Sequence, residues 1–274
     1  VFDIEEAAEA CPPPSGAELF PGARPPQRAF SPSKDKDARL AGVTPASRLA
    51  VRPAPEMVSS GIAAMDALTG GLPRGCLTEI CGPASSGRTT VLLAALAAAT
   101  RRGEFCAVVD ASDALDPQSA AAAGVELDRL LWVRCGESSP QKCLEQLLRA
   151  ADLLLESGGF GLIALDLGDL PPQAARHIPL TTWFRFRRAV EHTPTVLLAI
   201  ERQSIAGSCS SLLIRLGTQG YGEIQSADSQ FPLPSHAQLL TELEITAELA
   251  QSRLDRKPVR SAEITFASKT AWAG

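Results

Sequence analysis

Gly82-Pro83-Ala84-Ser85-Ser86-Gly87-Arg88-Thr89-Thr90 is the stretch on which the fold of this 274-residue chain turns. Before it, Cys76–Cys81 (Cys-Leu-Thr-Glu-Ile-Cys) reads as a strand, and after it the Ala/Leu-rich Arg88–Arg102 reads as a helix. The two glycines and the Thr keep the spacing of the phosphate-loop pattern G-x-x-x-x-G-K-[ST], set between a strand and a helix. A loop of this form aims successive backbone N–H groups and a helix N-terminus at one place, which suits anionic phosphates. Gly82, Pro83, Ala84, Ser85, Ser86, Gly87, Arg88, Thr89 and Thr90 are therefore the candidate nucleotide-binding residues, with the Thr89 hydroxyl where Mg²⁺ is held. One residue departs: Arg88 stands where the pattern has lysine. Arginine keeps the charge but is longer, planar and forked. Its substitution should harm transition-state stabilisation, which needs tight placement, more than ground-state binding. Two plainer readings stay open: a strand–turn–helix with ordinary turn glycines, and a vestigial loop that takes no nucleotide.

Outward from this loop, helix and strand alternate. Ser60–Leu68 reads as a short helix with Ser59 or Ser60 as N-cap, and Gly70–Gly75 as a turn. Cys106–Asp110, Leu130–Arg134, Leu162–Asp166 and Thr195–Glu201 read as strands, and Asp116–Ala123, Pro140–Glu156 and Thr182–His192 as helices. Cys143, Leu147, Leu148, Ala151 and Leu154 share one face of the long helix. The strands at 162–166 and 195–201 are continuously apolar, as strands covered on both faces are. After Leu212–Gly217 the pattern gives strands without helices, at Glu242–Leu249 and Ala262–Ala267. The predicted class is α/β with a mostly parallel central sheet and a β-rich C-terminal end at 218–274. Residues 1–55 hold ten of the 21 prolines and lose all apolar periodicity, so they read as a disordered Pro-rich arm with a short acidic helix at Ile4–Ala10. Residues 56–274 then form the folded domain.

Apolar residues make up 45% of the chain, enough for a sizeable core, which excludes wholesale disorder. The net charge of −5 argues against coating nucleic acid by bulk charge, though not against a local basic groove. The longest apolar run, Val91–Ala99, is nine residues, short of the roughly 18 that span a bilayer, so no membrane partner is expected. The N-terminus shows neither the basic nor the apolar part of a secretory leader. The seven cysteines form no C-x-x-C pair and read as scattered free thiols of a reducing cytoplasm.

Residues 57–135 resemble the RecA family, with a weaker likeness to about residue 217. The likeness is carried by Ser60-Gly61-Ile62, Met65-Asp66-Ala67-Leu68, Gly70-Gly71-Leu72-Pro73-Arg74-Gly75 and Glu79-Ile80 leading into the loop. It continues in Val109-Asp110-Ala111-Ser112-Asp113-Ala114-Leu115-Asp116-Pro117, similar to the family's D-A-E-x-A-L-D-P segment, and in Gly124–Leu131. The resemblance implies a RecA-like P-loop NTPase core with ATP and Mg²⁺ as cofactors. It places Asp116 and Pro117 at the adenine, and Asp166 at the carboxylate on the Mg²⁺ side. Asp116 and Pro117 also read as N-cap and first residue of the next helix, and Asp166 as a plain strand-end aspartate.

Three departures bear on function. The family's water-activating glutamate is replaced by Ser112, which cannot act as a base at neutral pH, so no catalytic residue is assigned. Asp113 is adjacent but on an extended segment points elsewhere. In place of the family's Asn-Gln pair, whose glutamine senses the γ-phosphate, stands Glu201-Arg202-Gln203, where Gln203 substitutes only with a one-residue shift. The loops after Asp166 and Glu201, which grip single-stranded DNA in the family, are short.

Arg176, Arg185, Arg187 and Arg188, interleaved with His177, Trp183 and Phe184, suit single-stranded nucleic acid. The plainer alternative is an amphipathic helix with Trp183 and Phe184 in the core and the arginines solvated. A looser resemblance links the chain to the ImuA-type accessory proteins of bacterial mutagenic translesion synthesis. It rests on the short length, the altered site and the basic stretch Arg253–Arg260 before Ile264-Thr265-Phe266. The resemblance implies a DNA repair and damage-tolerance protein with weak or absent ATP hydrolysis, whose partners are a DNA polymerase or recombinase and single-stranded DNA. The alternatives are an active DNA-dependent ATPase recombinase and a nucleotide switch.

Overall fold

The computed structural model describes residues 53–135, 139–221, 242–254 and 262–269. The expected Pro-rich arm, its short helix at 4–10 and most of the basic stretch 253–260 lie outside the described residues.

Strand β1 (Met57–Val58) pairs antiparallel with β2 (Leu72–Pro73) around helix α1 (Ala63–Thr69). Then follow β3 (Cys76–Cys81), α2 (Arg88–Arg101), β4 (Cys106–Asp110), α3 (Pro117–Ala122) and β5 (Leu130–Arg134). Next come α4 (Pro140–Ser157), β6 (Leu162–Asp166), α5 (Pro172–Arg176), α6 (Leu180–Val190) and β7 (Val196–Glu201). Three strands close the series: β8 (Leu212–Tyr221), β9 (Glu242–Ser252) and β10 (Ala262–Lys269).

The main sheet has the order β10-β9-β8-β3-β7-β6-β4-β5. From β8 to β5 every pairing is parallel; β9 and β10 add antiparallel pairings at the β8 edge. The fold is therefore α/β with a mostly parallel central sheet, and its C-terminal part is β-rich as expected.

Alternation along the strands builds two cores. Val196, Leu198 and Ile200 of β7 join Ile80 of β3 and meet Val91, Leu92, Ala95 and Leu96 of α2. Leu197 and Ala199 face the other way, joining Leu77 against Leu147 and Ala151 of α4 and Trp183 and Phe186 of α6. Both faces of these strands are thus covered, which is why their sequences are apolar without a break.

Two local expectations fail. Ser59 and Ser60 do not cap α1: Ile62 occupies the N-cap position without a side-chain bond. Asp66 in the first turn reaches back and accepts from the Ser60 N–H (2.8 Å) and from the Ser59 and Ser60 hydroxyls (2.6 Å each). The two hydroxyls also accept from the Gly61 and Ile62 N–H groups (3.0 and 3.3 Å), so they order the turn before α1 and not its first turn. In α6 the core aromatics are Trp183 and Phe186, stacked edge to face with centroids 6.0 Å apart, whereas Phe184 is 49% exposed. A separation of three residues keeps two side chains on one helix face; adjacent residues diverge. Among the described residues no helix is long and apolar enough to cross a membrane.

Candidate functional site

The C-terminal ends of β3, β7, β6 and β4 lie side by side, in the crevice where open parallel sheets take their ligands. Register sets Cys81 beside Glu201, Ile200 beside Asp166, and Asp166 beside Asp110. The loop after β3 starts from β7, where the Gly82 N–H donates to the Glu201 carbonyl at 3.1 Å. It then turns through positive φ at Ser85 (60°) and Gly87 (88°) into α2. A Cβ on Gly87 would lie 2.2 Å from Cδ1 of Ile245, so β9 presses the loop where only glycine fits.

Pro83, Ala84, Ser85 and Thr89 are exposed, whereas Ser86 is buried and its Oγ has no hydrogen-bond partner among the described residues. The Thr90 hydroxyl lies 3.4 Å from that of Ser268 on β10. The first-turn N–H groups of α2 have no intrahelical acceptors, as at any helix start, and face the end of the loop. An orphaned hydroxyl, an exposed Thr in the first turn and a helix N-terminus together fit the phosphates of a nucleotide.

Arg88, only 10% exposed at its side chain, turns toward the loop after β6. Its Nη1 donates to the Gly168 carbonyl at 2.9 Å, and its Nη2 lies 3.8 Å from the Asp169 carboxylate. A Cβ on residue 168 would come within 2.4 Å of that Nη1, so this approach requires Gly168. Arg202 Nε donates to the same carbonyl at 2.9 Å, and its Nη2 lies 3.9 Å from Asp169. The residue after β7 that shares the Gly168 carbonyl with the phosphate loop's arginine is thus Arg202. Gln203 accepts instead from Arg176, so the shifted register that would make it a phosphate sensor is not adopted.

Asp166, at the end of β6, accepts from the Gly168 N–H at 3.0 Å. Burial raises its carboxyl to about 6, helped by the charges of Asp110 and Asp169 and opposed by that hydrogen bond and by Arg88. On β7 the buried Glu201 stands near Glu79 of β3. Burial first, then the Glu79 charge, holds Glu201 well above the ordinary carboxyl range. Glu79 accepts from the Ile205 N–H (2.7 Å) and the Ala206 N–H (2.8 Å), fixing the loop after β7.

Ser112 follows β4 and is exposed. Its N–H and that of Leu115 donate to Asp110, which also accepts from Trp132 Nε1 at 3.3 Å. Asp113 is paired with Arg134, whose guanidinium lowers its carboxyl, so it does not stand in for Ser112. Asp116 caps α3, accepting from the Gln118 and Ser119 N–H groups and from the Ser119 hydroxyl at 2.6 Å, with Pro117 first in the helix. Its structural role holds, and its carboxylate is already engaged.

The four arginines read as a nucleic-acid patch have different neighbours. Arg176 meets Gln203 beside the site, while Arg185 pairs with Asp152 of α4 at 2.7 Å. Arg188 is exposed and Arg187 half-buried. Trp183, expected as a stacking candidate, is fully buried. The described cysteines form no disulfide, and burial raises Cys81 and Cys135 to about 11 and Cys106 to about 12, so these three thiols stay protonated.

The sequence reading missed Gly168 and Asp169. No local signal marked them, because the partners of Gly168, Arg88 and Arg202, lie 80 and 34 residues away in sequence.

A phosphate-type loop between β3 and α2, on a mostly parallel sheet, defines an α/β protein of the phosphate-loop class, consistent with a RecA-like core. Residues 48–175 match the RecA N-terminal domain. The chain is 44% identical over 127 residues to Protein RecA of Kineococcus radiotolerans, covering 45% of this chain and 35% of that protein. It is 46% identical to Protein RecA of Corynebacterium jeikeium over 126 residues (45% of this chain, 32% of that protein). To Protein RecA of Salinispora tropica it is 46% identical over 132 residues (46% of this chain, 36% of that protein). These likenesses support the RecA family, and the chain spans about a third of the length of the curated relatives it matches.

Proposed function

We propose that this chain is a RecA-like accessory protein of DNA repair and damage tolerance, of the ImuA type, that turns over little or no ATP. It acts through protein partners, a DNA polymerase or a recombinase, and takes single-stranded DNA as a second ligand in the cytoplasm. The observation that carries the reading is at the end of β4. Ser112 stands where the resemblance expects a glutamate, and the neighbouring Asp113 is held by Arg134. Without a carboxylate there, an attacking water has no general base, a contribution worth about 10²–10⁴ in rate.

Nucleotide binding is a separate matter. The backbone of Gly82–Gly87, the first turn of α2 with Thr89, and Asp166 are the groups that would hold ATP and Mg²⁺. When bound, the metal would offset phosphate charge. Thr89 and Asp166 would orient it, Asp166 once ionised. Asp116 and Pro117 would border the adenine. Arg176, Arg185, Arg187 and Arg188 are proposed for single-stranded DNA, with Arg176 nearest the site.

The runner-up, an active DNA-dependent ATPase recombinase, is favoured by the intact loop geometry. ATP turnover by the purified chain, with and without single-stranded DNA, separates the two. Turnover near background is expected in both; strong DNA-stimulated turnover would overturn the accessory reading.

A further inference from the structure

We infer that Glu201 and Glu79 share one proton, and that this proton latches the loop after β7 to β3. The latch goes beyond the proposed function and depends on neither nucleotide nor DNA.

The two carboxyl groups come from adjacent parallel strands. Register puts Ala199 beside Glu79, and Glu201 beside Cys81. Residues two apart on a strand share a face, so Glu79 and Glu201 point to the same side of the sheet. It is the side on which Leu77, Leu197 and Ala199 meet α4 and α6, opposite the side that Ile200 shares with α2. Glu79 is 0% exposed and Glu201 1%. Their bonding is unequal. Glu79 accepts from the Ile205 N–H at 2.7 Å, the Ala206 N–H at 2.8 Å and the Ser204 hydroxyl at 3.2 Å. Neither oxygen of Glu201 has a hydrogen-bond partner among the described residues. An ionised Glu201 would thus be an uncompensated buried charge beside a second carboxylate. A proton on Glu201 removes both costs. The group is then neutral, and its O–H donates to Glu79, which lies within hydrogen-bond reach.

The other titratable groups around Glu201 do not take the proton's place. Cys81 on β3 is a protonated thiol. Arg202 follows in the chain but donates to the Gly168 carbonyl, and Arg176 of α5, lining the same pocket as Glu201, donates to Gln203. Leu167, Leu170 and Ile205 make the wall of that pocket apolar.

Glu79 holds Ser204, Ile205 and Ala206, and so steadies the segment that starts with Arg202 and Gln203. Ionisation of Glu201 would remove a donor from Glu79 and set a like charge against it. Glu79 then gains by turning toward water, and its three bonds to the loop weaken. Burial first, then the Glu79 charge, raises Glu201 above the ordinary carboxyl range. The latch is therefore closed through that range and opens as pH rises through the raised one.

The test is hydrogen exchange of the full chain, read by mass spectrometry on peptides that carry Ile205 and Ala206. Rates are taken from about pH 6 to about pH 10, a span that covers buried glutamates, and each is divided by the rate of an unstructured peptide at the same pH. Wild-type protection should fall at least about tenfold toward the alkaline end. Glu201→Gln keeps a neutral donor beside Glu79 at every pH, so its protection should stay level. A level wild-type profile, or a Glu201→Gln profile that falls with the wild type, overturns the latch. Should Glu201→Gln not fold, wild type decides alone. Above about pH 7, a unit beyond the value of Asp166, its infrared spectrum must keep the carbonyl band of a neutral carboxylic acid. That band must fade along the same pH course as the protection, and its absence overturns the shared proton.

Discussion

At the scale of single residues, the crevice holds groups that a solvent-exposed chain would never keep in those states. Asp166 is the clearest. Its carboxyl is raised to about 6, so the folded protein binds that proton more tightly than the unfolded chain does. The sign follows from linkage: stability from this group is greatest below the ordinary carboxylate range and declines as pH rises toward 6. Asp166→Asn removes that penalty. Thermal melts should show the variant gaining on wild type across this window, by up to roughly 3 kcal/mol above pH 6. Parallel pH profiles of equal separation would refute a buried, raised carboxyl. Any Mg²⁺ held by Asp166 should correspondingly be lost as pH falls through about 6. Arg88 belongs to the same scale. Its substitution was legible in the sequence, but the direction of its side chain was not, because Gly168 and Asp169 reach it only through the sheet.

At the scale of elements, helix phase decides which aromatics carry weight. α6 buries Trp183 and Phe186 and leaves Phe184 in solvent. Phe186→Ala should cost about 3–5 kcal/mol in denaturant unfolding, as removal of a fully buried ring does. Phe184→Ala should stay within about 0.5 kcal/mol, as surface changes do. Reversed magnitudes would mean that α6 is rotated by about half a turn. The sequence located this helix to within two residues but assigned its core face by proximity to Trp183, not by the three-residue step that sets the face. α1 shows the complementary failure. Its end was legible to within one residue, yet its start was not, since Ser59 and Ser60 bond to Asp66 and to the Gly61 and Ile62 N–H groups in a turn ahead of the helix.

At the scale of the whole molecule, sheet order gathers residues from distant parts of the chain. β7 lies between β3 and β6, so Arg202 stands between the phosphate loop and Asp166. β9 belongs to the same sheet and closes on Gly87 through Ile245. The C-terminal strands therefore support the loop directly. If Arg88 and Ser112 are what silence the site, Arg88→Lys combined with Ser112→Glu should raise ATP turnover at least about tenfold over wild type. A double variant that still binds ATP but stays at the wild-type rate would show that the block lies elsewhere, with Asp169 and Arg202 the next residues to change.

What the sequence determined by itself was the succession of elements and the nature of the loop. Unbroken apolar runs mark doubly covered strands, Ala/Leu periodicity marks helices, and two glycines at fixed spacing between them define a phosphate loop. All of these are local, governed by backbone sterics and by burial of one segment at a time. Only the tertiary structure decided how the site is wired: Arg88 with Arg202 on Gly168, Asp113 away with Arg134, Gln203 with Arg176. Each of those contacts joins residues that lie far apart in the chain and meet because parallel strands place their C-terminal ends together. Side-chain direction there follows from strand order and register, and these come from packing of the whole sheet.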